Sequence, residues 1–111
     1  MIYWITGRKN SGKTTLAYRM AKQVNGVVLD GDEFRSEFSS DFTDDGRWSH
    51  LQRITRVACI LEAQGFPVII ACVSPKRVWR KELQAMFKEC IEICMPFGEL
   101  WDETIFEEPE E

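Results

Sequence analysis

Eight residues near the start of the chain have the composition and spacing of an anion cradle: Gly7-Arg8-Lys9-Asn10-Ser11-Gly12-Lys13-Thr14 fits G-x-x-x-x-G-K-[ST]. Its glycines let the backbone curl so that successive N–H groups point inward at one anion. The start of a following helix adds partial positive charge at the same place. Lys13 has the reach to meet the outer phosphates of a nucleoside triphosphate, and the Thr14 hydroxyl suits a magnesium ion. Gly7, Asn10, Ser11, Gly12, Lys13, Thr14 and Thr15 are therefore the expected nucleotide-binding residues. Lys13 is expected to act in catalysis as well, and Thr14 on the metal.

Such a loop says that a triphosphate is held, not what is done with it. Leu29-Asp30-Gly31-Asp32-Glu33-Phe34-Arg35 adds two carboxylates two residues apart. Either can hold magnesium water or accept a proton from an attacking hydroxyl, and either can simply cap the next helix. Arg35, Arg47 and Arg53 are candidates to converge on an anionic acceptor, because the planar guanidinium fork suits phosphate or sulfate oxygens. His50 lies between the last two. Ser74-Pro75-Lys76-Arg77 follows an apolar run where many phosphate-loop proteins carry an acid. None stands there, so Asp30 and Asp32 must supply it. Arg77 and Arg80 would sit on the first turns of the next helix, within reach of the acceptor.

The elements that must position these groups are legible from apolar patterning. Ile2–Thr6 reads as a buried strand, and Lys13 to about Gln23 as a helix with Leu16, Met20 and Val24 inward, ended by Asn25-Gly26. Val27-Val28-Leu29 is a second short strand, with Asp30 and Asp32 at its carboxyl end. A short helix from Asp32 and a polar loop from Ser39 to Trp48 come next. A helix from Ser49 to Gln64 then carries Leu51, Ile54, Ala58 and Leu61 at helical spacing, ended by Gly65. Phe66 to Val73 is a third strand. A helix from Pro75 to about Lys88 places Trp79, Leu83, Met86 and Phe87 on one face, and Cys90–Cys94 is a fourth strand. Strands alternating with helices predict an α/β chain with a three-layer phosphate-loop NTPase fold, a small, mostly parallel sheet of about four strands flanked by helices. In open sheets of this kind ligands bind beyond the carboxyl ends of the strands.

The 111 residues, 44% hydrophobic and 29% charged, suit one modest domain spanning 1–111, with an irregular acidic tail at 95–111. The net charge of −4 hides an asymmetry. From Glu99 to Glu111 there are seven acidic residues and no basic one, so the remainder has 14 basic residues against 11 acidic. No apolar run approaches the roughly 18 residues of a membrane span, and Met1 leads almost at once into the first strand, so a cytoplasmic protein is expected. Cys59, Cys72, Cys90 and Cys94 lie in apolar segments without C-x-x-C spacing and read as reduced, buried thiols rather than a zinc site.

Taken together, the phosphate loop in its Gly-x-x-x-Ser-Gly-Lys-Thr-Thr form, Leu29-Asp30-Gly31-Asp32 with Arg35, Phe42-Thr43 with Arg47, and Ser74-Pro75 with Arg77 resemble the adenylylsulfate (APS) kinase family. The blocks cover residues 1 to about 81 in the family's order, and Phe106-Glu107-Glu108-Pro109 resembles its tail. The resemblance implies ATP and magnesium as cofactors and transfer of the γ-phosphate to the 3′-hydroxyl of adenylylsulfate. It implies that Asp32 is the base or magnesium-linked carboxylate. It also assigns Asp30, Asp32, Arg35, Arg47, His50, Arg53 and Ser74 to the acceptor side. Two departures fall on that side: the family's asparagine is His50 here, and the first arginine of its pair is Gln52. A third is the region after Glu92. There the family continues into a further helix, a basic lid over ATP and a fifth strand, whereas here Ile93-Cys94-Met95-Pro96 leads almost directly to the tail. Gly98 to Phe106 folding over the site, a second subunit in a homodimer, and a weakly active site are the consequences left open. So are a kinase with another acceptor (a nucleoside, a nucleotide or a nucleic-acid hydroxyl) and a nucleotide-binding module without strong catalysis.

Overall fold

The protein is described by a computed structural model in which residues 1–8, 11–37 and 43–96 are placed, the side chains of 35–37 excepted. Its elements are β1 (Ile2–Thr6), α1 (Lys13–Val24), β2 (Val27–Asp30), α2 (Gly31–Glu37), α3 (Asp44–Ala63), β3 (Val68–Ala71), α4 (Arg77–Gln84) and β4 (Cys90–Cys94). The strands form one parallel sheet in the order β2-β3-β1-β4. Ala71 is in register with both Ile5 and Asp30, so β1, β2 and β3 end on one rim. The chain leaves β1 toward β2 and leaves β3 toward β4. Their first turns diverge at that rim, opening the crevice in which such sheets take ligands.

The two-residue repeat of the strands divides the core between two faces. Ile2, Trp4, Leu29, Val68 and Ile70 pack with Leu51, Ile54 and Ala58 of α3 and with Leu83 and Phe87. Ile5, Ile69 and Ala71 pack on the opposite face with Ala17, Leu16 and Met20 of α1. These are the three layers that alternating strands and helices predict.

Several boundaries differ from the sequence reading: β3 is Val68–Ala71 rather than Phe66 to Val73, and α2 begins at Gly31, one residue before Asp32, because Asp30 caps it. α3 begins at Asp44, not Ser49, so the second half of the expected loop is helical. Thr43 caps it, its hydroxyl accepting from the Gly46 N–H at 3.2 Å, and Asp44 and Asp45 place negative charge on the first turn. α1 is closed by Asn25-Gly26 as expected, but the left-handed residue is Asn25 (φ 54°), and both Asn25 and Gly26 donate their N–H groups to the Ala21 carbonyl. Gly26 itself is needed for closeness, since a Cβ there would lie 2.8 Å from the Pro67 carbonyl oxygen. Finally, α4 starts at Arg77 and stops at Gln84, shorter at both ends than expected. The chain then turns so that Phe87 reaches the core beside Trp4, with ring centroids 6.3 Å apart, while Met86, expected inward, is exposed.

All four cysteines are free thiols; Cys72 is buried and the other three are partly exposed, less enclosed than the sequence suggests. Burial pushes the Cys72 thiol up to about 12. Among the described residues, no helix is long and apolar enough to cross a membrane. Residues 97–111, most of the expected acidic tail, lie outside the described residues.

Candidate active site

The phosphate loop leaves β1 through Gly7, whose φ of 147° and tight surroundings both require glycine. A Cβ there would come within 2.9 Å of the Met95 Cβ. Met95 itself is anchored where β4 ends, its N–H donating to Thr6 at 2.9 Å. The loop closes at Gly12, in the left-handed conformation at φ 91°. Gly12 occupies the N-cap position of α1 without a side-chain cap, and its carbonyl accepts from Leu16 at 3.0 Å. The first N–H groups of α1 therefore rely on an external anion or water rather than on a cap. Lys13 donates through Nζ to the Arg8 carbonyl at 2.7 Å and lies 3.4 Å from the Ser11 hydroxyl. Burial holds its ammonium below the usual lysine range, partly offset by the negative charge of Asp32 and Asp30.

The two aspartates, alike in sequence, do different work. Asp30 is 5% exposed and has both carboxylate oxygens engaged. Oδ2 accepts the Thr14 hydroxyl at 2.6 Å, while Oδ1 accepts the backbone N–H of Asp32 at 2.8 Å and of Glu33 at 3.4 Å. Asp30 is thus the N-cap of α2 and the tie between β2 and the phosphate-loop helix. It leaves Asp32, exposed on the first turn of α2, with a carboxylate directed to neither job. A Thr14 hydroxyl that donates to Asp30 keeps its lone pairs for a cation.

Across the rim stands the first part of α3. Its early start puts Arg47 on a helical turn, and His50, 4% exposed, and Leu51 line the same cavity. That cavity holds about 400 Å³. Ser11, Gly12, Lys13, Thr14 and Thr15 form one wall; Asp30, Gly31 and Asp32 a second; Arg47, His50 and Leu51 a third; and the stretch from Ala71 to Pro75 the floor. Of the sequence-predicted site residues, Gly7 is buried behind the loop. Arg53 is exposed on α3 and outside the lining. Arg35 belongs to α2, but its side chain lies outside the described residues, as does Asn10.

Ser74 lines the cavity, but its hydroxyl faces inward. Trp4 Nε1 donates to it at 3.1 Å, and the Thr6 hydroxyl lies 2.9 Å away. Thr6 also donates to the Val73 carbonyl at 2.7 Å, so the Ser74 hydroxyl supplies the proton between the two. Ser74 adopts φ 38°, a strained left-handed conformation for a residue with a side chain. Arg80 explains how it persists. The sequence placed Arg80 toward the acceptor. It is 1% exposed and turned the other way, donating through Nη1 to the Ser74 carbonyl at 2.8 Å and through Nε to Glu92 at 3.2 Å. Gln84 donates to the same Glu92 oxygen at 2.9 Å. Trp4, Thr6, Arg80 and Glu92 were missed as supports of the site. Their partners lie 6 to 70 residues away, and only the polar Thr6 and Glu92 within apolar strands hinted at them.

Comparison with known proteins agrees with this geometry. Residues 1–109 match the family described as Adenylylsulphate kinase. The chain is 37% identical over 95 residues to the adenylyl-sulfate kinase of Bacillus velezensis, which covers 79% of this chain and 48% of that protein. It is 36% identical over 115 residues to the probable adenylyl-sulfate kinase of Aeropyrum pernix, covering 97% of this chain and 61% of that one. The structure of the Mycobacterium tuberculosis APS kinase CysC in complex with AMPPNP and APS superposes with a TM-score of 0.78 at 26% identity, over 85% of this chain and 61% of that chain. The chain thus spans about half to three fifths of the length of these relatives. With the phosphate loop, the carboxylate rim and the sheet order all accounted for, the chain belongs to the adenylylsulphate kinase family of P-loop kinases.

Proposed function

We propose that this chain transfers the γ-phosphate of ATP to a hydroxyl of a small anionic acceptor, with adenylylsulfate as the first acceptor to test. The observation that carries the reading is the single cavity in which the phosphate loop and Thr14 face Asp32, Arg47 and His50. Phosphoryl transfer asks a protein mainly for in-line positioning and for cations around the spreading charge. Lys13 and the N–H groups of α1 supply the positive side at the donor, and Arg47 does so for the acceptor. Asp32, exposed at the rim and free of the capping task that Asp30 performs, orients the attacking hydroxyl and takes its proton. Asn10 and Ser11 belong to the phosphate cradle, and Arg35 and Arg53 to the outer acceptor side. Ser74 contributes through its backbone and through the shape it gives the floor.

The donor set fits magnesium. Among the described residues no group of three metal-ligating side chains exists. Magnesium needs no such cage, because it keeps waters and binds through phosphate oxygens with one or two protein oxygens. Thr14 and Asp32 would hold it, and the ion would neutralise charge on the β- and γ-phosphates.

Labelled ATP offered with adenylylsulfate, and separately with a panel of nucleosides, nucleotides and oligonucleotides, tests the reading. Transfer to adenylylsulfate above all others is expected. Transfer to another acceptor alone would replace the substrate, an outcome favoured by the buried His50 at the position of the family's asparagine. ATP binding without transfer to anything would leave a nucleotide-binding module.

A further inference from the structure

α3 runs into the floor only from its far end, through β3, so at the start of α3 the acceptor wall and the floor it faces are not chain neighbours. Arg47 and His50 stand on α3, whereas Ser74 and Pro75 lead into α4. Side-chain contacts bridge the two helices at their N-terminal ends. Lys76 Nζ lies 2.8 Å from Asp44 Oδ2 in an ion pair between the first residue of α3 and the residue preceding α4. Trp48, next to Arg47, meets Trp79 with ring centroids 5.6 Å apart at 37°. The two contacts are themselves joined, since the Lys76 ammonium sits 4.8 Å from the centroid of the Trp79 ring. Both indoles are half-buried and rest on the core. None of Asp44, Trp48, Lys76 or Trp79 lines the cavity.

We infer that Trp79, acting with Trp48 and Lys76, is a positioning residue that clamps the start of α3 to the start of α4 and so fixes Arg47 over the acceptor end of the cavity. The phosphate loop lies on the other wall, braced by Met95 and Asp30, and does not depend on this clamp. Acceptor binding is thereby separable from ATP binding by substitutions that touch neither ligand. This rests on the proposed kinase reading only in naming Arg47's partner as the acceptor.

The test uses Trp79→Ala, Trp79→Phe as the conservative variant, and Lys76→Met, which removes an exposed charge with little risk to folding. Hydrogen exchange of the backbone amides of residues 47–51, measured without any ligand, should accelerate in Trp79→Ala and return toward wild type in Trp79→Phe. Losing a tilted aromatic pair predicts a rise of about three- to tenfold in exchange rate and in the KM for adenylylsulfate, with a smaller rise for Lys76→Met. The KM for ATP should stay within about twofold, well under the tenfold that one aromatic pair can supply. Unchanged exchange at 47–51 in both Trp79→Ala and Lys76→Met overturns the clamp, whatever the enzyme transfers. Equal increases in both KM values, or a loosened helix with an unchanged acceptor KM, overturn its link to the acceptor. Accelerated exchange in Trp79→Ala, in a protein whose wild type transfers nothing to adenylylsulfate, would support the clamp and defeat adenylylsulfate as the acceptor instead.

Discussion

Replacing Asp30 by alanine removes three hydrogen bonds at once, and the structure lets their cost be apportioned. The cap on α2 is worth about 1 kcal/mol, as for other aspartate N-caps. The 2.6 Å bond from Thr14 ends on a carboxylate that is 5% exposed, and a bond to a charged group of that kind contributes about 1.5–3 kcal/mol. The alanine variant should therefore lose about 3 kcal/mol, which for a domain of this size lowers the unfolding temperature by roughly 12 °C. Asp30→Asn separates the two parts. Asparagine caps helices as well as aspartate does, but its one acceptor oxygen is then spent on the cap, so its amide nitrogen faces Thr14 and can only donate to that hydroxyl; the charge is lost and the bond reversed, at about 1.5 kcal/mol or roughly 6 °C. Thermal unfolding followed by circular dichroism at neutral pH, without nucleotide, measures both. If Asp30→Ala melts within about 3 °C of wild type, or if Asp30→Asn is as damaging as alanine, the carboxylate does not tie β2, α1 and α2 together as described.

Further outcomes follow from the half-buried Lys13 and the buried Arg80. The Lys13 ammonium is held below its usual range by burial, so it loses its charge at a lower pH than an exposed lysine. ATP affinity measured by calorimetry should accordingly begin to fall before pH reaches 10.5. Folding stability moves the opposite way: between the lowered folded value and 10.5 the unfolded chain binds more protons, so stability rises with pH across that window. Lys13→Met should then weaken ATP binding by about 10- to 100-fold, the range of one charge-assisted contact, without a large drop in unfolding temperature. Arg80→Ala should do the reverse, destabilising the fold by about 2–4 kcal/mol in urea titrations, because it leaves Glu92 with Gln84 but no cation beside it and releases the Ser74 carbonyl. The partial exposure of Glu92 keeps that cost toward the lower end.

What the sequence disclosed and what it hid divide along contact range. The phosphate loop is local, and its glycines, lysine and threonine stand where the pattern puts them. The sheet was equally readable, since short apolar runs alternating with amphipathic helices leave few topologies. Asp30 and Asp32 were not distinguishable, because each is a good cap and each follows an apolar run. The choice fell to where β2 ends: the strand includes Asp30 and the helix begins at the next residue. The polar stretch before Trp48 looked like a loop because of Gly46, yet the Thr43 cap and two first-turn acids outweighed one glycine. Arg80 was misread for want of its partner. Nothing near it in sequence predicts that Glu92 and the Ser74 carbonyl will meet it in the interior.

The central claim is that Asp32, not Asp30, serves the acceptor hydroxyl while the phosphate loop holds ATP. Turnover of ATP with adenylylsulfate by wild type and Asp32→Ala, alongside ATP affinity by calorimetry for both, tests it most directly. Because Asp32 is exposed and Asp30 holds Thr14 independently, ATP affinity measured without magnesium should not fall, while turnover with magnesium falls by about 10²–10⁴, the usual contribution of a positioned base. Equal turnover in the two proteins would contradict the account.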